Sequence, residues 1–164
     1  MITNLKEQIL KITGIPHLPS IFKGILENKD EEFLLPGEEI LDTVFVERSG
    51  FDIQGTSLIK FDSWTPGTLI VVTNYGISIL REGGTQMSDS SYGYSIHHTV
   101  FDKISSIALD VCLLDGNLTI STSTSAHPDT MINFNTSDYG QDFERLIRVI
   151  RNRVFQSSPP APRN

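Results

Sequence analysis

The stretch from Gly67 to Gly83 constrains the fold more than any other part of the chain. It reads Gly-Thr-Leu-Ile-Val-Val-Thr-Asn-Tyr-Gly-Ile-Ser-Ile-Leu-Arg-Glu-Gly. Two β-branched apolar runs flank a short Asn74-Tyr75-Gly76 break, the pattern of a β-hairpin. Asn74 and Gly76 suit the positive φ that such a turn demands. Further short strands are expected on both sides of this hairpin. One runs from Glu39 to Glu47, others cover 95–100 and 104–114, and Asp115-Gly116 signals a second hairpin into Asn117–Thr122. There Leu118 and Ile120 alternate with Thr119 and Ser121, as in a half-buried strand. A last strand from Thr130 to Asn135 points Ile132 and Phe134 inward. The Gly55, Trp64 and Pro66-Gly67 breaks leave residues 50–66 open between strand and lid, and residues 83–93 read as a loop.

Helical periodicity is confined to the two ends. Ile2, Leu5, Ile9 and Ile12 recur at helical spacing until Gly14 and Pro16 intervene. Ile21, Phe22, Ile25 and Leu26 form the apolar face of a second short helix from Ser20 to about Asn28. These helices must cover something apolar, either an open end of the β domain or the same surface on a second copy. At the C-terminus, Phe143, Leu146, Ile147, Ile150 and Val154 make one apolar stripe, with Asp138 expected to cap it and Gln141 in the capping-box position. Residues 156–164, with three prolines, read as a disordered tail.

With 164 residues, 38% hydrophobic content and a mean hydropathy of -0.09, the chain is long enough for one domain with its own core. A net charge of -7 and a pI near 5.0 argue against nucleic-acid binding, which needs a concentrated positive face. The acidity is concentrated: Glu27 to Asp62 holds ten acids against three bases, which reads as a solvated face. The single cysteine, Cys112, excludes an internal disulfide, and its apolar neighbours predict a buried thiol. No signal peptide or membrane-length apolar run is visible, so a soluble, cytoplasmic protein is expected.

Leu35-Pro36-Gly37-Glu38-Glu39, the Gly67–Asn74 strand, the Phe101–Ile107 turn and the terminal helix together resemble bacterial pleckstrin-homology-like domains. In that family an L-x-x-G-E opening precedes the first strand and an I-x-x-I corner leads into the fifth. The resemblance spans residues 35–155. It implies a PH-like, bent, seven-stranded antiparallel sheet or half-open barrel, mainly β, capped by the C-terminal amphipathic helix. Residues 1–34 form a two-helix N-terminal extension outside it. Tyr75 and Gly76 stand where the family usually has a basic residue in the hairpin turn.

Residue patterns for chemistry are sparse. Ser20/Lys23 and Ser57/Lys60 match S-x-x-K without the accompanying motifs that serine acyl enzymes need. His97 and His98 would point to opposite faces of a strand, and His127 with Asp129 has no third ligand, so no metal site is expected. No phosphate-binding glycine motif occurs, and neither a cofactor nor a small-molecule substrate is expected. Eukaryotic relatives bind phosphoinositides through basic residues after the first strand; here Arg48, Asp52, Lys60 and Asp62 leave that loop near neutrality. The expected function is therefore non-catalytic: a protein-interaction or self-assembly module, with lipid-headgroup binding as the alternative. Candidate partner contacts are Ile2, Leu5, Ile9, Phe22 and Leu26 of the extension, through which a homo-oligomer would form, and the aromatics Phe51, Trp64, Tyr75 and Tyr92. Half-open barrels also leave strand edges, and the Ser/Thr face at 121–125 suits edge pairing.

Overall fold

The computed structural model describes residues 5–28, 33–35, 37–48, 65–83, 93–123 and 130–157. Helices α1 (Leu5–Thr13) and α2 (Ser20–Glu27) precede strands β1 (Ile40–Val46), β2 (Thr68–Thr73), β3 (Gly76–Glu82) and β4 (Tyr94–Val100). A single 3-10 turn, Phe101–Lys103, leads into β5 (Ile104–Cys112), β6 (Asp115–Thr122), β7 (Thr130–Asn135) and the long helix α3 (Thr136–Ser157). The strands form two antiparallel meanders, one ordered β1-β2-β3-β4 and the other β5-β6-β7. Among the described residues these are the seven antiparallel strands, C-terminal helix and two-helix extension expected from the sequence. No helix among the described residues is long and apolar enough to cross a membrane.

Two apolar layers share the first sheet. On one face Val44, Val46, Ile70, Val72, Ile77 and Ile79 meet Leu118, Ile120, Ile132 and Phe134 of the second sheet and Phe143, Leu146 and Ile150 of α3. The rings of Phe134 and Phe143 stack at 3.7 Å. On the other face Phe45, Leu69, Val71 and Leu80 are covered by Ile12, Leu18, Phe22, Ile25, Leu26, Phe33 and Leu34. Because both faces are covered, every residue of β2 is buried, which is why its sequence runs apolar without alternation.

The extension thus covers the outer face of the first sheet in its own chain. Phe22 is fully buried there, edge-on to Phe45, and Leu26 is buried beside it, so neither is displayed to a partner as expected from the sequence. Ile9 packs half-buried against the same cluster. Gln8 fastens α1 to the start of β1, accepting from the Ile40 N–H at 3.2 Å and donating to the Ile40 carbonyl. Ile2, Phe51, Trp64, Tyr92 and the side chain of Leu5 lie outside the described residues, as do nearly all of 50–66 and the tail beyond Ser157.

Several local expectations are corrected. Neither Asn74 nor Gly76 has positive φ. Instead, the Thr73 hydroxyl accepts from the Tyr75 and Gly76 N–H groups, and Gly76 is needed because a Cβ there would strike the Thr99 carbonyl. The second hairpin turns at Leu113-Leu114, with Leu113 at φ 52°, while Asp115 and Gly116 already pair within β6. Gly116 leaves room for the Phe134 ring. Asn135 caps α3 by accepting from the Ser137 N–H at 2.8 Å, which places Asp138 inside the first turn. Helix α2 starts at Ser20 as expected, with Pro19 in the cap position and no side-chain cap hydrogen bond. Cys112 is exposed, because it lies where β5 has outrun the core. Glu38 is buried, accepting from the Thr73 hydroxyl at 2.6 Å and the Leu35 N–H at 2.7 Å, so the acidic segment is not uniformly a solvated face. Around it the Leu35–Glu39 motif clasps the first hairpin: Asn74 accepts from the Glu39 N–H and donates to the Gly37 carbonyl.

Candidate functional site

The β5–β6 turn is the least protected apolar feature among the described residues. Val111, Leu113 and Leu114 are 58%, 91% and 61% exposed, and Cys112 sits between them. A leucine in the left-handed region costs about 1–2 kcal/mol relative to an ordinary backbone conformation. Water also contacts nearly all of its side chain. The turn is nevertheless fastened. Thr136, the first residue of α3, donates its hydroxyl to the Leu113 carbonyl and its N–H to the Leu114 carbonyl at 2.9 Å. Two carbonyls that a free hairpin tip would leave to solvent are thereby tied to a helix start.

Beside this tip lies a groove of about 960 Å³, between the ends of β1 and β7. Phe134, Asn135 and Tyr139 contribute to one wall, and Val46, Glu47 and Arg48 to another. The Tyr139 hydroxyl accepts from the Glu47 N–H at 3.0 Å, joining α3 to β1 across the groove. Burial raises the Tyr139 pKa above its usual value, and the charges of Glu47, Asp138 and Asp142 push the same way against the hydrogen bond from the Glu47 N–H, which lowers it. Asn117 donates to Asn133 across the β6–β7 pair, and Thr119 donates to Asn117. Carboxylates dominate the lining: Glu47, Asp110, Asp115 and Asp138 against Arg48. Arg48 lies in a bidentate pair with Glu82, at 2.9 and 3.0 Å, and Glu82 also accepts from the Gly67 N–H.

The other residues singled out in the sequence do not converge here. Tyr75 is 46% exposed at the opposite end of β2, in a shallower depression with Val100 and Arg153. His97 and His98 take opposite faces of β4. His98 Nδ1 lies 2.7 Å from Ser78 Oγ, and its ring packs on Phe33. Ser78 and His98 have the atoms of a nucleophile and a base, yet Ser78 is only 3% exposed. Among the described residues no group of three or more His, Cys, Asp or Glu side chains is placed to hold a metal ion. Ser57, Lys60, His127 and Asp129 lie outside the described residues, as does part of the Ser/Thr face at 121–125. Arg145 pairs with Asp42 at 3.0 Å and with Asp142 at 2.6 Å. Burial lowers the pKa of Arg81, whose guanidinium donates to the Met131 carbonyl at 2.8 Å and so bridges the two sheets. No sequence motif marks the acidic groove, and the one signal for the exposed apolar tip is the Leu113-Leu114 pair just before Asp115-Gly116.

No family model matches the chain, and no curated protein matches it. A solved structure from Shewanella loihica PV-4, described as a DUF1696 family protein with a pleckstrin-homology domain, is similar over 93% of this chain and 98% of that one. The identity is 13% and the TM-score 0.46, too low to carry any residue of the groove across.

Proposed function

We propose that the chain is a non-catalytic protein-interaction module of PH-like type, and that its contact surface is the β5–β6 tip with the adjoining groove. The observation that carries this reading is the Leu113-Leu114 turn. A position that favours Gly or Asn instead holds a strained leucine, almost wholly exposed and anchored to α3. Strain and exposure that a simpler residue would avoid are characteristic of contact surfaces rather than of scaffold. An anchored tip also loses little conformational freedom on binding. A catalytic reading is disfavoured by the burial of Ser78. The lipid alternative is disfavoured by the carboxylates flanking the tip and by the ion pairs that engage Arg48 and Arg145.

Cys112 is the chain's only cysteine and is exposed at the tip, so it gives a specific handle. A photo-crosslinker attached there is expected to form a protein adduct in an extract of the source cells. Unlabelled wild-type chain should compete that adduct away, and a Leu113→Asn/Leu114→Asn chain should not. Absence of an adduct, or equal competition by the two chains, would overturn the reading.

A further inference from the structure

We infer that the tip and groove receive a cationic, amphipathic segment of a partner protein, one that sets an apolar side chain against Leu113 and Leu114 and Lys or Arg side chains against the groove walls. This rests on the interaction reading above and adds the chemistry of the partner. The apolar contact is supplied by Val111, Leu113 and Leu114, and the carboxylates on both sides of it decide what accompanies it. Asp110 and Asp115 belong to the hairpin itself, where Asp115 pairs directly with Cys112. Glu47 follows β1 and Asp138 lies in the first turn of α3, the two elements that the Glu47 N–H to Tyr139 hydrogen bond joins across the groove. Among the described lining residues the one base, Arg48, is engaged by Glu82.

An apolar segment flanked by acids would bring like charges into a confined, partly desolvated groove, whereas one flanked by bases pairs with both walls. An anionic bilayer fails for the same reason as an acidic segment. The preference is for cations spaced around an apolar residue, not for cations alone, because exposed ion pairs by themselves contribute little.

The test uses the full chain and two labelled peptides, one alternating leucine with lysine and the other leucine with glutamate, followed by fluorescence anisotropy. The lysine peptide is expected to bind and the glutamate peptide not, with the affinity falling as salt shortens the screening length. Asp110→Asn/Asp115→Asn should weaken the lysine peptide about tenfold and flatten its salt dependence. Leu113→Asn should weaken it while leaving the salt dependence intact. Glu7→Gln/Asp102→Asn makes the same change of charge away from the groove and should alter nothing, which separates docking from general attraction to an acidic protein. Equal binding of the two peptides, or equal effects of the two carboxylate pairs, would overturn the inference. So would retention of the wild-type chain, but not the Leu113→Asn chain, on phosphatidylcholine vesicles without lysine-peptide binding, which would assign the tip to lipid. If the lysine peptide fails to bind while the Cys112 crosslink still depends on Leu113 and Leu114, the cationic partner is wrong and the interaction module stands.

Discussion

Gly76 and Gly116 illustrate how a residue type is legible in sequence while its reason is not. Both lie within two residues after a turn-forming Asn or Asp and invite the same explanation, freedom at positive φ. Each instead gives up its side chain to a neighbour, Gly76 to the Thr99 carbonyl of β4 and Gly116 to the ring of Phe134. Alanine at either position overfills a closely packed site, and a destabilisation of about 2–3 kcal/mol is expected. Chemical denaturation of the two variants checks this. Gly116→Ala should additionally perturb the Phe134–Phe143 stack and hence the near-ultraviolet circular dichroism. A loss below 1 kcal/mol at both positions would overturn the close-packing explanation. Leu113, by contrast, is left-handed although the sequence does not announce it.

Among the elements, the strands and α3 were readable because periodicity survives wherever one face of an element is wet. β7 alternates cleanly, and α3 shows its stripe. The first sheet was readable for another reason, the burial of β2 on both faces, which leaves an unbroken apolar run. Element ends were less legible, since a cap depends on one hydrogen bond among several candidate acceptors. Asn135 and Asp138 both carry suitable oxygens, and geometry selects Asn135. Asn135→Ala is therefore expected to lower stability by about 1 kcal/mol. Asp138→Ala loses only a favourable charge in the first turn, on the order of 0.5 kcal/mol. Thermal unfolding of the two variants distinguishes them, and the reverse ranking would put the cap at Asp138. The candidate site was the least legible part. Its apolar tip is displaced two residues from the Asp-Gly signal, and its groove collects side chains from β1, β5, β6, β7 and α3 that no local pattern connects.

For the whole molecule, the central fact is that the first sheet is a middle layer. The N-terminal helices complete its second face, so the extension is part of the domain's stability rather than an appendage. Four large apolar residues, Phe45, Leu69, Val71 and Leu80, depend on that cover. At about 1.5–3 kcal/mol for each side chain returned to water, their exposure rivals the 5–15 kcal/mol by which a typical domain is stable. A chain beginning at Leu35 is expected to aggregate or to unfold at a markedly lower temperature, as read by light scattering and calorimetry. A truncated monomer with an unchanged midpoint would show that the cover is dispensable. The same layering separates the two halves of the core in time as the chain is made. Among the described residues, those that seal the outer face of the first sheet are synthesised before or with β4, but Phe143, Leu146 and Ile150, which join the second sheet in sealing the inner face, come from α3. At about 5–20 residues per second, several seconds pass on the ribosome during which Ile70, Val72, Ile77 and Ile79 have no helix to pack against. The nascent chain is closed on one side and sticky on the other until α3 emerges.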